Sequence, residues 1–193
     1  MDTSHRDPLN RIVTIPNLLS LFRLCLIPVF VHLYHVQNRG LAAALVLALS
    51  ALTDLADGFI ARRFHLITNL GKVLDPVADK LTQIAALLCL ATHFPHIWVL
   101  LLALIAKELF IGLTGLLAIR RTGVVHGADW HGKLTTTALH ATALLHILFP
   151  RLPAPLSDGL IVLCLLLMLL SAILYGVSNL SKIRKGGTHA HEP

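Results

Sequence analysis

The chain has 193 residues, of which 55% are apolar and only 13% are charged, and its mean hydropathy is +0.75. This composition argues against a water-soluble domain and is typical of a polytopic membrane protein. The formal net charge of +6 would suit nucleic acid in a soluble protein, but here basic residues are expected to set topology and to contact anionic lipids. We predict one membrane domain over residues 1–185, a disordered tail over residues 186–193, and no nucleic-acid partner.

In chain order, apolar runs predict an all-α protein with six transmembrane helices, each near the ~20 residues that a bilayer requires. Residues 1–13 are mostly polar and are expected to form a short helix on the membrane surface. The first spanning helix begins at Pro16, and the others are predicted over residues 41–62, 72–92, 97–119, 134–148 and 156–177.

The distribution of basic residues predicts the orientation. With six spans, one side holds Arg6, Arg11, Arg62, Arg63, Lys72, Arg120, Arg121, Lys133, Lys182, Arg184 and Lys185. The opposite loops hold only Arg39 and Arg151. Because basic loops stay in the cytoplasm, both termini are predicted to be cytoplasmic. Residues 54–79, on either side of the first cytoplasmic connection, are then expected to face the cytoplasm.

This stretch concentrates the acidic residues of the apolar part of the chain. Asp54 and Asp57 are separated by three positions and Asp75 and Asp79 by four, so each pair lies on one face of a helix. Intramembrane carboxylates are costly, and those that occur are usually functional. We expect the two helix faces to pack closely enough to pool the four carboxylates.

Glycines accompany the carboxylates: Gly58 follows the first pair and Gly71 precedes the second. Pro76 either kinks the third helix or begins it with Asp75 as the N-cap. A structural ion-pair network with nearby basic residues is the simpler alternative, but it explains neither the glycines nor the use of short Asp throughout. Clustered carboxylates without His or Cys favour Mg²⁺, Mn²⁺ or Ca²⁺ over zinc, and two such ions can bridge a diphosphate.

The stretch resembles the signature of the CDP-alcohol phosphatidyltransferases. The matching pattern is Asp54-x-x-Asp57-Gly58-x-x-Ala61-Arg62, then eight residues, then Gly71-x-x-x-Asp75-x-x-x-Asp79. Two further segments are similar to that family: the opening helix with Pro16, Asn17, Ser20, Arg23 and Pro28, and residues 132–136 at the start of the fifth helix.

The resemblance implies transfer of a phosphatidyl group from CDP-diacylglycerol to an alcohol, with release of CMP, at a bacterial cell membrane. It implies two Mg²⁺ or Mn²⁺ ions on Asp54, Asp57, Asp75 and Asp79, with Asp79 as the base for the acceptor hydroxyl. The implied CDP-lipid-binding residues are Asp54, Gly58, Ala61, Arg62 and Gly71. It also implies contact with membrane lipids and a homodimer.

The acceptor is a separate question. Lys107, Lys133 and Arg120 are candidates for binding a phosphorylated acceptor, with topological anchoring as the alternative for Lys133 and Arg120. Glu108 follows Lys107 and points about 100° away on a helix, so it is expected to be an imperfect partner. The pattern is most similar to family members that use sn-glycerol 3-phosphate and make phosphatidylglycerophosphate. Phosphatidylglycerol or an inositol phosphate as acceptor remains open.

Two further alternatives remain open from the residues. Arg23 is either a cation at the acidic site or a structural partner for an acidic helix. A metal-ion transporter would also carry intramembrane acids, although it would place them near the midplane in broken helices, often within a repeat. Here the acids lie toward one predicted face of the membrane.

Overall fold

The computed structural model describes residues 14–63, 68, 70–122 and 130–186. Within this part of the chain there are six α-helices and no strand, which confirms the all-α prediction. The helices are α1 (Ile15–Val31), α2 (Gly40–Arg63), α3 (Gly71–Ala91), α4 (Ile97–Thr122), α5 (Trp130–Leu148) and α6 (Ala154–Gly186). The surface helix predicted over residues 1–13 and the tail predicted after Gly186 lie outside the described residues.

Four segments of the described helices are long and apolar enough to cross a membrane. They are Ile15–Val36, Gly40–Ile60, Ile97–Arg120 and Ala154–Ser181. These segments identify a membrane protein. α3 and α5 do not reach the same apolarity, since α3 carries Asp75, Asp79 and Lys80 and α5 carries several threonines and histidines.

α1 begins with a side-chain cap and a proline. Thr14 is extended and its side chain accepts a hydrogen bond from the Asn17 backbone N–H, while Pro16 occupies the first turn, where its missing N–H has no cost. After α1 the chain continues through a π-helical turn, His32–Val36. Asn38 then adopts a φ of 51°, and α2 starts two residues later. Asn is among the few residues that tolerate this left-handed conformation.

α3 begins at Gly71, so Pro76 lies inside the helix. Of the two alternatives for this proline, the structure supports the interior position and excludes Asp75 as the N-cap. The cap comes from farther upstream: the Thr68 hydroxyl accepts a hydrogen bond from the Gly71 backbone N–H at 2.9 Å. A threonine oxygen in this role satisfies one of the free N–H groups at the start of a helix.

The chain divides into two compact units. Unit 1 comprises Met1–His93 and Ala143–Pro150, and unit 2 comprises Phe94–Thr142 and Arg151–Pro193. In unit 1, α1 packs along both α2 and α3, and those two helices contact each other far less. α1 is therefore the helix that brings α2 and α3 together, which the sequence did not predict. The single-domain boundary at residue 185 stays a prediction.

In unit 2, α4 packs on α6. The Phe110 ring lies against Gly176, where a Cβ would come within 3.1 Å of the ring. The Asn179 amide donates a hydrogen bond to the Thr114 hydroxyl at 3.1 Å. α6 has 33 residues and continues past the predicted end at residue 177, so at 1.5 Å per residue it is about 50 Å long, more than a bilayer core requires.

Candidate metal centre and substrate-binding residues

One face of α1 is polar although the helix is otherwise apolar. Asn17, Ser20 and Arg23 follow one another at intervals of three, which places them along the same side of the helix. Their exposed fractions are only 4%, 1% and 1%. Because buried polar groups require partners, this face indicates a polar structure on the neighbouring helices.

The Arg23 guanidinium contacts three carboxylates on two helices. Its Nη1 donates to Asp54 on α2, and its Nη2 donates to Asp57 Oδ2 on α2 at 2.6 Å. The same Nη2 also donates to Asp75 on α3. Ser20 lies beside this cluster, with its Oγ 3.4 Å from Asp75 Oδ1 and 3.4 Å from Arg23 Nη2. Arg23 therefore belongs to the acidic site and also joins the helices that form it.

Asp54, Asp57 and Asp75 each bring one oxygen atom to within 4.8 Å of the others. Asp57 is buried, whereas Asp54 and Asp75 keep side-chain exposures of 37% and 45%. With all groups ionised, one guanidinium leaves this set of carboxylates negative, so it attracts a further cation. The donors are hard oxygens and include neither His nor Cys, which fits Mg²⁺, Mn²⁺ or Ca²⁺. This group can hold a metal ion.

Asp79 lies on α3 one turn after Asp75 but is not in the group of three. The Gln83 amide nitrogen is 2.9 Å from both Asp79 oxygens, and Lys80 Nζ is 3.5 Å from Oδ2. Its side chain is 20% exposed. The Gln83 amide and the Lys80 ammonium thus hold the Asp79 carboxylate in place. The structure thus separates one of the four predicted acids from the other three.

Gly71 lies where the start of α1 meets the start of α3. A Cβ on Gly71 would come within 2.6 Å of Asn17 Oδ1 and 2.9 Å of Thr68 Oγ1. These two atoms are themselves joined, since the Thr68 hydroxyl donates to Asn17 Oδ1 at 3.0 Å. Helix packing therefore accounts for this glycine, whatever it also contributes to lipid binding. Gly58 directly follows Asp57 on α2, and the side chains of Ala61 and Arg62 lie outside the described residues.

The candidate acceptor-binding cations all lie in unit 2. Lys107 is buried on α4, and its Nζ is 2.8 Å from Glu108 Oε1. The expectation that Glu108 is an imperfect partner was wrong, because two long side chains can close the angle between adjacent positions. Arg120 is exposed near the end of α4, and Lys133 is exposed in the first turn of α5. At 1.5 Å per residue, Arg120 lies about 20 Å along α4 from Lys107, so the two do not surround one phosphate group.

Asn17, Ser20 and Thr68 contribute to this site although none of them was predicted as a site residue, and only Asn17 and Ser20 belong to the segment that resembles the family. A signal for the first two was present, namely polar residues every third position in an apolar helix, with Arg23 next in the series. Thr68 carries no comparable pattern, because its role depends on where α1 packs.

The chain is similar in sequence to known proteins over the part that contains these residues. The sequence model of the family described as CDP-alcohol phosphatidyltransferase matches residues 13–176. The chain is 42% identical over 131 residues to the CDP-diacylglycerol–glycerol-3-phosphate 3-phosphatidyltransferase of Escherichia coli (strain K12), covering 64% of this chain and 71% of that protein. The proteins of the same name from Shigella flexneri serotype 5b and Shigella sonnei match with the same identity and coverage.

Proposed function

The chain belongs to the CDP-alcohol phosphatidyltransferase family, and we propose that it makes phosphatidylglycerophosphate. It transfers the phosphatidyl group of CDP-diacylglycerol to sn-glycerol 3-phosphate and releases CMP. The observation that carries the reaction class is the cluster of Asp54, Asp57 and Asp75 within a family match over most of the chain. The choice of acceptor is supported by the name of the relatives that are 42% identical.

We propose that Asp54, Asp57 and Asp75 hold two divalent cations, Mg²⁺ or Mn²⁺, with Asp79 as a further ligand. Such ions, when bound, neutralise negative charge on the diphosphate as the bond to the leaving group breaks. The support is the donor set: carboxylate oxygens that lie within 4.8 Å of one another on α2 and α3.

Asp79 takes the proton from the acceptor hydroxyl. That oxygen forms a bond to the β-phosphorus of CDP-diacylglycerol, the phosphoanhydride bond breaks, and CMP leaves with the bonding electrons. Gln83 supports this role because its amide holds both Asp79 oxygens at 2.9 Å. Gly58, Ala61, Arg62 and Gly71 are proposed to lie along the cytidine diphosphate.

For the acceptor, we propose Lys133 and Lys107 as the cations that bind its phosphate. Lys133 is exposed and therefore accessible to a soluble metabolite. Lys107 is charge-balanced by Glu108, so the acceptor is not needed to explain its burial. Arg120 is better explained as an anchor at the membrane surface, since it lies about 20 Å along α4 from Lys107, near the end of the helix.

We propose that all six helices cross the membrane, that both termini and the active site face the cytoplasm, and that the protein is a homodimer. α3 and α5 have 21 and 19 residues, which gives about 32 Å and 28 Å of helix, close to the thickness of the hydrocarbon core. The lower apolarity of α3 is explained by the site itself, because Asp75 and Asp79 lie on it.

The test is CMP release by the purified protein with CDP-diacylglycerol and Mg²⁺. Glycerol 3-phosphate, phosphatidylglycerol and inositol phosphate are offered separately, and we expect release with the first alone. Release only with another acceptor would keep the reaction class and refute the product. Metal flux in proteoliposomes, without CMP release from any acceptor, would favour a metal-ion transporter.

A further inference from the structure

Arg23 has a position that the proposed reaction does not require. Its guanidinium donates to one oxygen each of Asp54, Asp57 and Asp75, the same three residues that form the candidate metal group. The side chain is 1% exposed, so this charge is held within the protein and not shared with water. One helix thus supplies a cation to acids on two others.

We propose that Arg23 is a positioning residue that acts as a tethered cation: it holds the three carboxylates together before metal binding, and the metal ion displaces it from them. This inference rests on the proposed metal-dependent function. It adds that metal binding is an exchange of one cation for another, with Arg23 as the internal competitor.

A metal ion and the Arg23 guanidinium would occupy the same space and neutralise the same charge. The three carboxylate oxygens lie within 4.8 Å of one another, and a divalent cation binds such oxygens at about 2.0–2.6 Å. A guanidinium in hydrogen-bond contact with all three residues competes for the same oxygens, and it repels the entering ion. A metal ion that takes these oxygens must therefore break contacts of Arg23.

The surroundings of Arg23 include both its present hydrogen-bond partners and an alternative acceptor. Its Nε is buried without a hydrogen-bond partner in the described structure, so all of its contacts come from the two terminal nitrogens. The Ser20 hydroxyl, 3.4 Å from Nη2, is a neutral acceptor on the same helix face. A guanidinium that leaves the carboxylates thus has a partner that does not compete for the metal.

Two properties should then change in opposite directions when Arg23 is replaced. The metal-free protein should lose stability, because three neighbouring carboxylates are left without their shared cation. Its affinity for a divalent cation should rise, because no internal contact has to be broken. A residue with only a structural role would lower stability and leave metal affinity unchanged or weaker.

The experiment is a Mn²⁺ titration of the full chain in detergent micelles without substrates, with free Mn²⁺ followed by electron paramagnetic resonance. Thermal unfolding in EDTA is measured on the same samples. We expect Arg23→Gln to bind Mn²⁺ about tenfold more tightly than wild type and to unfold at a lower temperature. Arg23→Lys keeps the charge but lacks the planar fork, so a smaller gain of about threefold is expected.

Thr68→Val is the matched control, because it removes a buried hydrogen bond between Asn17 on α1 and the segment before α3, and this bond involves no carboxylate. It should lower the unfolding temperature without changing Mn²⁺ affinity; tighter binding in this variant would show that loosening alone is sufficient, and the inference would fail. If Arg23→Gln does not fold, the Mn²⁺ affinity of Arg23→Lys tests the proposed exchange instead.

Unchanged or weaker Mn²⁺ binding in the Arg23 variants overturns the exchange and leaves the proposed function standing. Wild-type protein that binds no Mn²⁺, or that binds it equally well with Asp57→Asn, overturns the proposed metal site and this inference together.

Discussion

The two units treat their charged residues differently. In unit 1, Asp54, Asp57 and Asp75 come from two helices and share one buried guanidinium on a third. In unit 2, Lys107 is paired with its own neighbour on the same helix, while Arg120 is exposed more than three turns away. The carboxylate cluster forms only when three helices pack correctly, whereas the Lys107–Glu108 pair needs only the local structure of α4.

The carboxylates of unit 1 are thus assembled by helix packing, whereas unit 2 leaves cations exposed at its surface. The carboxylates are already gathered, so a divalent cation that displaces Arg23 needs little further ordering of its ligands. The exposed Lys133 of unit 2 is accessible from water, which suits its proposed role toward a soluble acceptor. Variants in the two units should therefore fail in different ways.

The largest effect is expected from Asp79→Asn. Asparagine keeps the size of the side chain but cannot take the acceptor proton, so the rate of CMP release should fall by about 10²–10⁴-fold. Binding of CDP-diacylglycerol, followed by the shift in unfolding temperature, should be largely retained.

Asp57→Asn is the comparison for that variant. Since Asp57 is buried in the group of three, its replacement should remove Mn²⁺ binding together with turnover. Normal turnover by Asp79→Asn would remove this residue from the role of base.

An intermediate effect, on stability, is expected from Gly71→Ala. The new Cβ would lie 2.6 Å from Asn17 Oδ1 and 2.9 Å from Thr68 Oγ1, so the Thr68–Asn17 hydrogen bond and the cap of α3 must shift. We expect a loss of about 1–2 kcal/mol in the free energy of unfolding. Unfolding in mixed detergent micelles measures it.

Gly112→Ala in unit 2 is the matched control, since nothing lies within 4 Å of its Cβ position. Alanine is the better helix former, so this variant should be more stable by about 0.5–1 kcal/mol. The same sign of change at both positions would contradict the packing role assigned to Gly71.

The smallest effect is expected from Lys133→Met. Loss of one ammonium should raise the KM for glycerol 3-phosphate about tenfold and leave kcat nearly unchanged, because a phosphate contact distant from the reacting atoms acts on binding alone. Steady-state CMP release at varied acceptor concentration measures it. Arg120→Met should change the KM less than twofold, and a larger rise there than in Lys133→Met would reverse the assignment.

Much of this protein could be predicted from local pattern. The length of the apolar runs predicted helices in the right places, because backbone polar groups in an apolar run must be satisfied internally. The spacing of Asp54, Asp57 and Asp75 predicted a shared oxygen-rich site, since helix periodicity fixes which side chains point the same way. The late end of α6 was not predicted, because its last residues are polar and fit a loop as well as a helix.

The sequence by itself determined the helices, the acidic motif and the family, all of which depend on residues close together in the chain. Only the tertiary structure decided that α1 joins α2 and α3, that Arg23 is the shared partner of the carboxylates, and that Asp79 is not in their group. It also decided that Gly71 is required by Asn17, more than fifty positions earlier. The reason is physical: helix periodicity gives the face of each side chain, but the partner of that face is chosen by packing over the whole fold.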